Sequence, residues 1–276
     1  MSLELASVRS VLSNVPSKNR IRELLVFDPR FQYGHRRGFE AWLRIRTLLV
    51  NRKYHAPIRP LATYWISPDD ITLKMVGGTE FGKSSAGRVV GGDWNHNVER
   101  LREYDLYQMM KRHFVDGVPW EETERYQDLV AQVQSGESVW HYCTTETDIK
   151  ERCRGLDELY RQIDEEGFLH PSDLESDTYD DPLFDHSANR FPVPLQAISV
   201  NIGPDGEAIL DDGRHRVIVA SLCGVSEIPI TVLVRHARWQ AKRDKSANGE
   251  IELDHFDSPD RRYYSSTPSK NPVEKR

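Results

Sequence analysis

Cysteine is scarce in this chain of 276 residues: only Cys143, Cys153 and Cys223 occur, an odd set without Cys-x-x-Cys spacing. That count argues against a disulfide framework and fits a reducing compartment, so the expected location is cytoplasmic. His141 and Cys143 are neighbours, but no second ligand pair follows at zinc-site spacing. Long apolar runs are also missing. Nowhere do eighteen apolar residues follow one another, and Met1 to Ser13 has neither a cationic start nor an apolar centre. Neither a signal peptide nor a membrane-spanning helix is therefore expected. A strong excess of one charge is absent too: the formal net charge is −6, with Lys and Arg spread along the chain, which argues against a large nucleic-acid footprint.

What is present is patterned. Apolar residues recur at helical spacing from Leu3 to Leu12 and from Phe39 to Val50, where Arg44, Arg46, Arg52 and Lys53 add a local basic character, the one feature that favours DNA. Ala62 to Ile66 reads as a strand ended by the turn Ser67-Pro68-Asp69-Asp70, and Ile71 to Val76 as a second. Gly77 to Gly92 lacks periodicity and reads as a long loop. Helical spacing returns over Val98 to His113, Glu121 to Gln134 and Asp148 to Glu166, the last stopped by Gly167. An acidic loop leads on to Phe191. Leu195 to Ile202 and Glu207 to Leu210 flank Gly203-Pro204-Asp205-Gly206 and should pair as a hairpin. Val217 to Cys223 reads as a short helix and Ile228 to Val234 as a buried strand, after which Ala241 to Arg276 turns polar and is expected to be disordered. The organisation is thus an N-terminal helical region (1–56), an α/β (α+β) domain (57–240) with a helical insert near 95–140, and a tail (241–276).

The chemistry concentrates after Leu210, in Asp211-Asp212-Gly213-Arg214-His215-Arg216. Asp211 and Asp212 can cap a helix starting near Gly213, whose flexibility allows close approach, and first-turn N–H groups favour an anion. Arg214 and Arg216 add two guanidinium forks for phosphate oxygens. The bland alternative is that Asp212 pairs with Arg216 one turn on, as ordinary surface helices do.

The span Leu156 to Val234, about a third of the chain, resembles the ParB/sulfiredoxin-like superfamily. The resemblance rests on Leu156-Asp-Glu-Leu-Tyr160, Gly167, Ile198 to Ile202, Asp212-Gly-Arg-His-Arg216, Ala220, Gly224 and Ile228-Pro229. It implies a small mixed sheet with flanking helices. It also implies a nucleotide (ATP, ADP or CTP) with its phosphates at Gly213, Arg214, His215 and Arg216, and Mg²⁺ organised by Asp211 or Asp212. Sulfiredoxins carry Gly-Cys-His-Arg, and Arg214 stands here in the place of their attacking Cys. Partitioning proteins follow the motif with a DNA-binding region, whereas here only the polar tail follows Trp239. The segment Pro57 to Glu166, including Gly91-Gly92-Asp93-Trp94, is similar to ParB-like proteins associated with glycan biosynthesis. The resulting expectation is a Mg²⁺-dependent phosphotransferase or NTPase with Asp212 and His215 assisting, acting on a small molecule or glycan precursor. The alternative is a nucleotide-gated switch of DNA or protein binding.

Other candidates are weighed against plainer roles. Gly77-Gly-Thr-Glu-Phe-Gly82-Lys83-Ser84 has the letters of a P-loop, but the three glycines that follow leave no helix to supply the dipole. Asp93 can hold Mg²⁺ or take a proton from an acceptor hydroxyl, and it can equally cap a helix near Asn97. Asp185 and His186 read as solvated loop, and Trp65, Trp120, Trp140 and Tyr160 as core.

Overall fold

A computed structural model describes residues 29–77, 81–140, 142–168 and 198–259. Its centre is the hairpin that the turn residues predict. Strand β5 (Ile198–Ile202) runs antiparallel to β6 (Ala208–Asp212) across Gly203–Gly206, and helix α5 (Arg214–Leu222) then carries the chain over to β7 (Ile228–His236), parallel to β5 on its other side. Every residue of β7 is buried, as a β-branched run in a central strand requires. The sheet grows outward through β1 (Thr63–Ile66), β2 (Leu73–Met75), β3 (Arg88–Val90) and β4 (Val98–Arg100) to seven strands ordered β1-β7-β5-β6-β2-β4, with β3 also on β7. The result is a mixed α/β fold.

Helices cover both faces. On one lie α2 (Asp105–Phe114), α3 (Glu124–Gln134), α4 (Glu146–Glu166) and α5, whose apolar residues join Ile198, Val200, Leu210, Ile230 and Val232 in the main core. Helix α4 ends at Gly167, as its sequence predicts, but begins at Glu146, two residues before the expected Asp148, behind a Thr145/Asp148 capping box. On the other face, Leu43 of α1 (Pro29–Asn51) joins Phe81, Ala86 and Trp94 over Ile209 and Leu233. Helix α1 buries Leu43, Thr47 and Asn51, spaced at i, i+4 and i+8, and its outer side is apolar as well: Ile45 and Leu48 are exposed.

Several expectations change. Val98–Arg100 is a strand on β2, paired Leu73↔Arg100 and Met75↔Val98, so the helix expected over Val98 to His113 begins only at Asp105. The Gly77–Gly92 loop contains β3 and a 3₁₀ turn, Lys83–Ser85. The tail is not disordered through 241–259. Helix α6 (Ala237–Ala247) continues past Gln240, and Asp257 is fully buried. Asp257 accepts hydrogen bonds from Arg235 Nε at 2.7 Å and Trp239 Nε1 at 2.9 Å, with Arg243 Nη1 3.2 Å away. Gln240 and Asp244 tie α6 to the Ala56 backbone. Residues 260–276, the Leu3–Leu12 helix, the acidic loop and Leu195–Ala197 lie outside the described residues. Cys143, Cys153 and Cys223 are free, and burial pushes the thiols of Cys153 and Cys223 up to about 12. Among the described residues no helix is long and apolar enough to cross a membrane.

Candidate phosphate site at the Gly213 turn

The site is built where β6 meets α5. The register of the hairpin steps from Val200↔Leu210 to Ser199↔Asp212, so Asp211 is an extra residue, a β-bulge. Bulges re-aim side chains, and this one brings both carboxylates to the face that carries Ser199 and Asn201. Asn201 Nδ2 donates to Asp211 Oδ1 at 2.9 Å, while Asp211 Oδ2 is buried without a partner. Gly213 follows with φ +90°, and a Cβ there would stand 3.1 Å from the Ile198 Cα. Only glycine combines that left-handed backbone with so close an approach. The carboxylates do not cap the helix as expected. Gly213 is itself the N-cap, and its N–H donates back to Asp212 Oδ1 at 2.8 Å.

Lys83 completes the cluster from the opposite direction. The chain from Phe81 to Gly87 crosses the second face of the sheet. Lys83 Nζ reaches Asp212 Oδ2 at 2.9 Å and donates to Ser199 Oγ at 2.7 Å. Gly87 N–H donates to Leu233 O at 2.8 Å. Asn51 Nδ2 donates to Gly87 O at 2.6 Å, and the Arg46 guanidinium to the carbonyls of Ser84 and Ala86. Arg46 thus holds this crossing segment, while Arg44 pairs with Glu40 at 2.6 Å.

The two carboxylates are driven apart. Burial raises Asp211 to about 6 against the pull of Asn201 and Lys83, with a further push from Asp212. Burial also raises Asp212, but the charge and hydrogen bond of Lys83, then Arg216 and the Gly213 N–H, outweigh it and hold Asp212 below the ordinary carboxylate value. Such divergence within one cluster is how acid and base roles are separated.

On the main-core side, His215 is only 2% exposed, and Trp140 Nε1 donates to its Nε2 at 3.3 Å. An indole N–H only donates, so Nε2 is the acceptor in this contact, and His215 is packed beneath the turn instead of facing solvent as its neighbours suggest. Trp140 sits in a tight turn, Val139 pairing with Cys143 through N–H···O bonds of 2.9 and 2.8 Å. Trp140 and Tyr142 there adopt φ +37° and +71°, conformations that cost non-glycine residues about 1–3 kcal/mol each and gather at functional sites. Arg152 lies 5.5 Å over the Trp140 ring. Burial, and then the charge of Arg214, lower its pKa. The charges of Lys83 and Arg216 thus act on Asp212, and Arg214 and Arg152 act on each other beside Trp140.

Asp93 stands apart. It is exposed and precedes the 3₁₀ turn Trp94–His96 without capping it. Gly92 O contacts His236 Nε2 at 2.9 Å, at the far end of β7. Gly213 packs on Ile198, which pairs with Ile230. Six residues of strand, roughly 20 Å, separate the two ends, so a catalytic role beside Asp212 does not follow for Asp93. Asp185 and His186 lie outside the described residues, as do Gly78, Thr79 and Glu80 of the P-loop-like segment. Lys83 begins a 3₁₀ turn, not the α-helix a P-loop needs. Among the described residues no group of three or more His, Cys, Asp or Glu is placed to hold a metal. Comparison with protein-family models, curated proteins and solved structures finds no match.

Proposed function

We propose that the Gly213 turn binds the phosphates of a nucleotide and that the chain is a phosphotransferase or NTPase acting on a small-molecule hydroxyl. The observation that carries this reading is the meeting at the β6–α5 turn of Lys83, 2.9 Å from Asp212, with Arg216, whose charge acts on Asp212, and Arg214, whose charge acts on Arg152. A helix N-terminus ringed by guanidinium and ammonium groups is an anion site, and the resemblance of Asp212 to Arg216 to the ParB/sulfiredoxin-like motif makes that anion a nucleotide. Lys83 is the movable part. Bound to Asp212, it can transfer to a phosphate oxygen and free the carboxylate. Asp211, with its raised pKa, suits the general base that takes a proton from an acceptor hydroxyl near neutral pH. Asp212, once Lys83 has moved, would hold a Mg²⁺ ion, which is content with one or two carboxylates when phosphates and water complete its shell, leaving Asp211 Oδ2 to take the proton. Bound there, Mg²⁺ would neutralise phosphate charge.

Titration calorimetry of the full chain with ATP, ADP, CTP and inorganic phosphate, each with and without Mg²⁺, tests the reading. Arg216→Ala and Arg214→Ala should each weaken nucleotide binding by about 1.5–3 kcal/mol, the worth of a charge-assisted bond. Lysine at either position should restore only part. Folded variants with unaltered affinity, or a parent that binds no nucleotide, would defeat the proposal.

A further inference from the structure

Helix α1 is anchored to the sheet through one side only. Leu43, Thr47 and Asn51 are buried there, and the opposite side carries Trp42, Ile45 and Leu49 at i, i+3 and i+7. Leu48 and Val50 flank that stripe, and all five residues are between 46% and 73% exposed. Scattered apolar residues on a surface need no explanation, but a contiguous patch marks a place of contact. Leu48 also walls an open cavity of about 530 Å³ beside α1, together with Pro57 and Leu61, so the apolar surface continues beyond the helix.

Charge identifies the partner. The chain as a whole is acidic, with a net charge of −6, yet Ala41 to Pro68 contains Arg44, Arg46, Arg52, Lys53 and Arg59 and no Asp or Glu. Arg44 is held by Glu40, the one carboxylate in α1. Arg52 and Lys53 follow Leu49 by one turn, on the same outer side. Both are exposed, and neither pairs with a carboxylate among the described residues; Lys53 Nζ rests 5.0 Å from the Tyr54 ring. At the other end the Arg46 guanidinium lies 4.5 Å over the Trp42 ring, and exposed Arg88 is near enough for its charge to act on Arg46.

A second copy of the chain would set these cations against their own kind, with only the already paired Glu40 on α1 to receive them. Duplex DNA would take the cations but leave the Trp42, Ile45 and Leu49 stripe against phosphates. An anionic bilayer accepts both. Apolar side chains enter the boundary between headgroups and acyl chains while Lys and Arg stay among the lipid anions, and Trp suits that depth.

We infer that the outer side of α1 docks on an anionic membrane surface, with Trp42, Ile45 and Leu49 entering the lipid and Arg52 and Lys53 on the headgroups. Because the other side is held to the sheet, the helix lies along the membrane and does not cross it. This surface does not depend on the nucleotide reading.

Co-sedimentation of the full chain with phospholipid vesicles tests the inference. Phosphatidylcholine vesicles with about 30% phosphatidylserine should bind the chain at least about tenfold more tightly than phosphatidylcholine alone, and about 0.5 M NaCl should remove most of that preference. Arg52→Gln and Lys53→Gln should each weaken binding to the anionic vesicles about fivefold. Ile45→Ser combined with Leu49→Ser should weaken it about tenfold or more, while thermal melts match the parent because both positions are exposed. No binding to anionic vesicles, or binding that the Ile45→Ser, Leu49→Ser variant leaves unchanged, overturns the inference. Unfolding of that variant would place the stripe within the fold and overturn it as well. So would a dimer in ultracentrifugation that the same variant dissolves, or a DNA duplex bound more tightly than the vesicles.

Discussion

Lys83→Met retains the length and apolar stem of the side chain and removes the ammonium, which makes it the cleanest probe of the cluster at Asp212. Its effect on stability should be small. The Asp212 side chain is 52% exposed, and an ion pair with one partly solvated member contributes no more than about 1 kcal/mol, or roughly 2–4 °C in melting temperature for a chain of this size. Its effect on ligand affinity should be large, because an ammonium transferred to a phosphate oxygen makes a charge-assisted bond worth about 1.5–3 kcal/mol, ten- to over a hundredfold in Kd. There is also a pH signature. Asp212 is held below its ordinary value chiefly through Lys83, so it stabilises the fold above the ordinary carboxylate value, and that contribution is lost as pH falls through the lowered value. The Met variant should lose part of this acid limb. Thermal melts across pH and a nucleotide titration give all three quantities. A variant that melts many degrees lower while its folded form binds nucleotide unchanged would show that Lys83 is a structural brace, and the reasoning would fail.

Asp211→Asn should behave oppositely with pH. Its folded value of about 6 exceeds the ordinary value, so its stabilising contribution is full below about pH 4 and lost as pH rises through 6. The Asn variant should be more stable than the parent at pH 8 by roughly 1–3 kcal/mol, and urea unfolding at pH 4.5 and 8 checks it; equal stability at both would refute it. Gly213→Ala should cost roughly 1–3 kcal/mol through its left-handed backbone and the contact with Ile198, with chemical denaturation as the measure and a neutral outcome counting against the turn. Asp257→Ala leaves Arg235 and Arg243 buried without their counter-ion and should cost about 3–5 kcal/mol. Truncation after Ala241 should abolish cooperative melting, and a truncated chain that melts like the parent would refute the role given to α6.

The sequence is legible where burial and period coincide. β7 is a β-branched run, the β5–β6 hairpin carries its turn residues, and α4 has an apolar stripe with a glycine stop. It is opaque where polar groups make the core. Arg235, Gln240, Arg243 and Asp257 are buried through mutual hydrogen bonds and ion pairs, and hydrophobic periodicity has no way to register them. β4 is missed because its strand state comes from pairing with β2, a tertiary contact that overrides local helical spacing. At the site, Gly213 and its arginines stand out from composition alone. Lys83 does not, since its proximity to Asp212 depends on a segment passing over β5–β7, more than a hundred residues away in sequence. The P-loop letters mislead about mechanism, yet the lysine within them does reach the same turn. Arg152 and Trp140 arrive through packing of α4 and a strained turn, neither of which has a pattern to read.

The bulge at Asp211 acts as a phase shifter. A strand has a two-residue period, so one extra residue advances everything after it by half a cycle. Delete a single residue between Leu210 and Gly213, and the left-handed glycine arrives facing the wrong way. The helix that follows is then launched toward the face held by α1, away from the core its apolar residues now share with α4. The side of the sheet on which α5 packs, and with it the side on which an anion could be received, hangs on the parity of one short strand.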